Sequence, residues 1–134
     1  MKKRASVLPD TNTILRYLMN DVPEQSQESG DFFEQVRVGQ VEAEILESVV
    51  VEAVYILTKY YSVPKDKAAE ALQGIMRYKG ISNSDREQLL EALGIFASSG
   101  LDIVDCLLAV KAKGRELFTF DKKLRNLNRK ISHL

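Results

Sequence analysis

The sequence has a single cysteine, Cys106, and a single histidine, His133, among 134 residues. One cysteine excludes a disulfide within the chain and a cysteine-built metal site. It also sets the expectation of a reducing, cytoplasmic setting. His133 lies near the terminus and is read as solvated, and Cys106 sits inside an apolar run and is read as core. No apolar run is long enough to span a bilayer, so no membrane partner is expected. The basic start Met1-Lys2-Lys3-Arg4 is followed by only a few apolar residues before Pro9 and Asp10, which leaves no room for a signal core. There is no repeat, no low-complexity segment and no linker. No glycine-rich loop follows Leu8, which argues against a nucleotide-binding module of flavodoxin-like type.

What is present is ordinary in amount: 45% of residues are hydrophobic and 28% charged, and the length suits one domain, 1–134, around one core. Net charge is zero, but it is unevenly spread. Between Asp21 and Glu52 nine acids face one base, Arg37. Between Lys111 and Leu134 eight bases face two acids, Glu116 and Asp121. A basic end can hold a polyanion although the whole molecule is neutral. Two solvated faces that balance each other are the bland alternative.

Periodicity predicts an alternation of strands and helices. Residues 5–8 read as a strand stopped by Pro9, which has no N–H for a ladder. Helices follow over 13–19 and, opened by Pro23, over 24–36 up to Gly39. The alternation of Val41, Ala43 and Ile45 with Glu42, Glu44 and Leu46 reads as a half-exposed strand. Further helices are predicted over 49–61, from Pro64 to about Lys79, and from Asp85 to Ser98. Gly80-Ile81-Ser82 is a short extended link between the last two. An apolar helix then starts near Asp102 and stops at Gly114. Residues 116–120 read as a buried strand, 122–127 as a short basic helix, and Ile131 as the start of an edge strand. Strands alternating with helices argue for a parallel sheet covered on both faces.

Four acids fall at equivalent places in this pattern. Asp10 and Asp121 each close a strand and open a helix, and Glu52 and Asp105 each lie in the first turns of an apolar helix. Strand C-terminal ends and helix N-termini share one rim of a parallel sheet, so the four are expected to converge. Asp102, three residues before Asp105, shares its helix face and flanks the group. Two unit charges ~4 Å apart repel by about 4 kcal/mol at an effective dielectric near 20, and a divalent cation relieves that. Oxygen ligands alone point to Mg²⁺ or Mn²⁺ rather than Zn²⁺. Each acid also has a structural alternative. Asp10, Asp102 and Asp121 suit helix N-caps, and Glu52 suits a solvated helix position.

The chain resembles the PIN domain, and within it the VapC-type endoribonuclease toxins. The matching residues are Asp10-Thr11-Asn12 with Ile14-Leu15-Arg16-Tyr17-Leu18, and Glu52 before Val54-Tyr55-Ile56-Leu57. They continue with Asp21-Val22-Pro23-Glu24-Gln25, Asp102-Ile103-Val104-Asp105-Cys106-Leu107-Leu108-Ala109 and Phe118-Thr119-Phe120-Asp121. Pro9 departs from the usual aliphatic strand residue and Cys106 from a usual alanine. The resemblance implies a three-layer α/β/α sandwich on a parallel sheet of about four or five strands. It implies metal-dependent cleavage of RNA, with Asp10, Glu52, Asp105 and Asp121 as the acids that hold Mg²⁺ or Mn²⁺. Asn12 and Thr119 would support them. Lys122, Lys123 and Arg125 are placed to hold flanking phosphates. A small antitoxin protein and a homodimer are the implied protein partners. A metal-dependent phosphatase and a non-catalytic RNA-binding module are the rival readings.

Overall fold

The computed structural model describes residues 5–133, and the basic run 1–4 read above lies outside them. The helices are α1 (Thr11–Met19), α2 (Pro23–Val38), α3 (Glu47–Tyr55), α4 (Lys65–Met76), α5 (Arg86–Ser98), α6 (Ile103–Lys111) and α7 (Lys122–Ser132). One turn of π-helix, Ile56–Tyr60, prolongs α3. Sequence periodicity placed each of these helices to within a few residues. The exception is α7, which runs through Ile131 where an edge strand was expected.

The expected parallel sheet is not formed. Among the described residues the only β pairing consists of two isolated parallel bridges, Val7 with Ala43 and Ala43 with Ile81. Three extended segments therefore lie side by side with Ala43 in the middle. Val7 N–H donates to Glu42 O at 2.9 Å and Glu44 N–H to Val7 O at 3.0 Å. On the other side Ala43 N–H donates to Gly80 O and Ser82 N–H to Ala43 O, both at 2.9 Å. The pairing stops there for local reasons. Pro9, two residues past Val7, has no N–H to continue it. Beyond Ile81 the Asn83 side chain, not the backbone, meets Ile45. The stretch 116–120, expected as a buried strand, forms no bridge and leaves Phe118 and Phe120 in solvent. The α/β/α sandwich is thus replaced by a helical body threaded by three short extended segments.

The alternation read in 41–46 still sets which side chains go inside. Ala43 and Ile45 are buried, while Glu42 and Leu46 are exposed. The core is built from helix faces, with Ile14, Phe33, Val54, Leu89, Leu93 and Ile103 among its buried side chains. Helix α1 packs on α2 and α3, α4 on α5, α5 on α6, and α6 on α7. Gly80 makes one junction possible. A Cβ there would stand 2.1 Å from Val41 O and 2.7 Å from Val36 O, so only glycine admits the close approach of these backbones.

Lys111 ties the far end of α6 to two other elements. Its Nζ lies 2.7 Å from Glu47 at the start of α3 and 3.1 Å from Asp85, which precedes α5. The Glu47 and Asp85 carboxylates raise the Lys111 pKa against the opposing effect of burial. This links the helix bearing Asp102 and Asp105 to the helix bearing Glu52.

No helix among the described residues is long and apolar enough to cross a membrane.

Candidate active site

Three of the acids are helix N-caps, because each sits at an extended residue just before a helix whose first N–H groups lack partners. Asp10 Oδ1 accepts from Thr13 N–H at 2.9 Å and from the Thr13 hydroxyl at 2.8 Å. These bonds, the backbone one first, hold its pKa below the ordinary carboxylate value. Asp102 Oδ1 accepts from Val104 N–H at 3.1 Å and from Tyr55 Oη at 2.7 Å. Asp121 Oδ1 accepts from Lys123 N–H at 2.9 Å and Leu124 N–H at 3.2 Å. In each case these bonds fall on Oδ1.

Asp105 differs from these. It lies in the first turn of α6, partly buried. Its pKa is raised, first by burial and then by the charges of Asp102 and Asp121. The structure thus brings Asp102, Asp105 and Asp121 into one electrostatic neighbourhood at the starts of α6 and α7. Glu52 is on the exposed side of α3. Asp10 instead lines a cleft of about 570 Å³ with Asn12, Arg16, Gln25, Glu28 and Phe32 among its walls.

Asn12 is exposed and lines the Asp10 cleft, and Thr13 is the side chain that orients Asp10. Thr119 acts on the backbone: its hydroxyl accepts from Asp121 N–H at 3.1 Å. Arg125 Nη2 donates to Thr119 O at 2.7 Å, while Lys122 and Lys123 are solvent-exposed.

Two contributors stood outside the sequence reading. Thr13 was legible as an i+3 hydroxyl opposite a cap. The link of Tyr55 to Asp102 crosses 47 positions and has no local signature.

Carboxylate oxygens suit a hard divalent ion. Among the described residues, however, no three Asp, Glu, His or Cys side chains are placed to hold one.

No curated protein and no solved structure matches the chain. The family profile of the PIN domain matches residues 7–130, a span that takes in the three capping acids, Glu52 and Asp105. PIN domains are generally metal-dependent nucleases. The chain belongs to the PIN domain family.

Proposed function

We propose that this chain is a single-domain endoribonuclease that hydrolyses RNA phosphodiester bonds with the help of Mg²⁺ or Mn²⁺. In this reading Asp10, Glu52, Asp105 and Asp121 are its catalytic acids. The observation that carries the reading is Asp105, a partly buried carboxyl raised by burial and by Asp102 and Asp121, in a chain of the PIN family. A carboxyl shifted by burial and by neighbouring acids is of the kind that clusters at functional sites. The net reaction adds water across a P–O bond of the backbone. The chain's own contribution is to orient and to bind. Thr13 fixes Asp10, Tyr55 and Val104 fix Asp102, and the Thr119–Asp121–Arg125 contacts fix the turn into α7. Lys122, Lys123 and Arg125 would take the flanking phosphates.

We further propose that the chain is the toxin of a VapBC-type pair, acts in the cytoplasm, forms a homodimer and is silenced by a small antitoxin. Expression alone should arrest growth of a bacterial host, and co-expression of the partner should restore it.

The direct test is labelled RNA incubated with the protein and Mg²⁺ or Mn²⁺. Internal cleavage that stops with chelator and is lost in Asp105→Asn, with an unchanged circular dichroism spectrum, is the expected outcome. A folded protein that binds RNA and never cuts it would replace the enzyme by a non-catalytic RNA-binding module. The capping bonds that engage Oδ1 of Asp10, Asp102 and Asp121 are the observation that favours this second reading.

A further inference from the structure

The segment 117–120 alternates as an extended chain does: Leu117 and Thr119 turn inward, Phe118 and Phe120 outward. The two phenyl rings are 81% and 88% exposed, more than any other exposed large hydrophobic side chain among the described residues. Their centroids are 5.5 Å apart and their planes 75° apart. This exposure does not come from a loose loop. Leu117 packs against the core, Arg125 Nη2 holds Thr119 O, and the Thr119 hydroxyl holds Asp121 N–H. Helix α7 begins directly after, carrying Lys122, Lys123, Arg125, Arg129 and Lys130. Lys122, Arg125 and Arg129 fall on one stripe of that helix. Asp121, between the rings and the helix, acts electrostatically on Asp105.

Flat apolar faces beside a row of cations suit a polymer that carries flat bases and phosphates together. An apolar protein surface would bury the rings but leave the cations without partners. A base pair hides its faces within the duplex stack, and rings set at 75° cannot both lie parallel to one flat stack. We propose that Phe118 and Phe120 are a stacking platform for unpaired bases of an RNA strand whose phosphates follow the cationic stripe of α7. The platform rests on the ribonuclease reading for the identity of its polymer, and it delivers that strand toward Asp121 and Asp105.

The test measures binding of fluorescently labelled single-stranded uridine and adenosine oligoribonucleotides to the full chain in chelator. Phe118→Leu and Phe120→Leu should each weaken binding about fivefold or more, with the salt slope unchanged. Phe118→Tyr and Phe120→Tyr, which keep a ring, should bind as the parent does. Lys122→Ala with Lys123→Ala should instead flatten the salt slope. A duplex RNA of the same length should bind more weakly and be indifferent to the leucine changes. Leucine variants that bind single strands like the parent overturn the platform, as does loss of self-association in those variants with RNA affinity intact, which would assign the rings to a second copy of the chain. The two readings fail separately. Ring-dependent binding without cleavage when Mg²⁺ is restored sinks the ribonuclease and keeps the platform. Cleavage with ring-independent binding does the reverse.

Discussion

Asn83 and Ile45 are joined by two hydrogen bonds in which a side-chain amide does the work of a peptide group. Ile45 N–H donates to Asn83 Oδ1 at 2.9 Å, and Asn83 Nδ2 donates to Ile45 O at 2.7 Å. Both residues are buried. The pair continues the Ala43–Ile81 bridge by one step and then ends it, because a side chain cannot pass the ladder on. The same Nδ2 reaches Asp85 Oδ1 at 3.0 Å, which connects the extended segments to the entrance of α5.

Asn83→Ala should therefore cost far more than the loss of one surface amide. It strips partners from a buried N–H and a buried C=O, each worth about 1–3 kcal/mol when left unsatisfied. A loss of about 2 kcal/mol or more in urea unfolding is expected. Asn83→Asp keeps the acceptor for Ile45 N–H but loses the donor to Ile45 O, so it should also be destabilised. A midpoint unchanged in both variants would mean that water satisfies Ile45 equally well.

Helix α1 and the loop after α4 are joined by a second pair, with a pH signature. The Tyr17 and Tyr78 hydroxyls share a hydrogen bond. Burial first, and then that bond, pushes the Tyr78 hydroxyl up to about 12 from an ordinary 10.0. The neutral phenol is thus favoured in the folded state. Its contribution to stability is whole below pH ~10 and shrinks as pH rises toward about 12, because the unfolded chain ionises first. Unfolding midpoints measured from pH 9 to pH 12 should fall across that window. Tyr78→Phe should flatten part of the fall, and an equally steep curve in that variant would remove Tyr78 as its source.

The helices were legible because their signals are local. Pro23 opens α2, Gly39 closes it in the left-handed conformation at φ 86°, and apolar residues recur at helical spacing between them. The caps were legible for the same reason, and Asp10, Asp102 and Asp121 all serve as caps. The sheet was misread because strand pairing is a property of neighbours. Phe118 and Phe120 look like buried strand residues by type, yet nothing in 116–120 itself fixes a partner. The convergence of the four acids was inferred from the shared rim of a parallel sheet. The geometry sets Asp102 and Asp121 to act on Asp105, while Asp10 lines a cleft with Arg16 and Glu28. The Tyr55–Asp102 bond depends on how α3 meets α6, which no local pattern encodes.

Asp10 carries two roles that one pair of substitutions can separate. As a cap it accepts two hydrogen bonds from Thr13 through Oδ1. Asparagine caps as well as aspartate does, whereas alanine at such a position costs about 1 kcal/mol. Asp10→Asn should therefore unfold close to the parent near neutral pH, and Asp10→Ala should be weaker by roughly that amount. Acid provides a second check. The folded Asp10 carboxyl has a lowered pKa, so its stabilisation is present above the ordinary carboxylate pKa and is lost as pH falls through the folded value. Asparagine does not titrate, and Asp10→Asn should lose that part of the acid sensitivity. RNA cleavage then isolates the chemical role. If the charge of Asp10 serves the reaction, Asp10→Asn loses divalent-dependent cleavage at unchanged stability. If cleavage follows stability instead, intact in Asp10→Asn and reduced in Asp10→Ala only as far as folding is, Asp10 is a cap and the reaction is carried by the acids around Asp105.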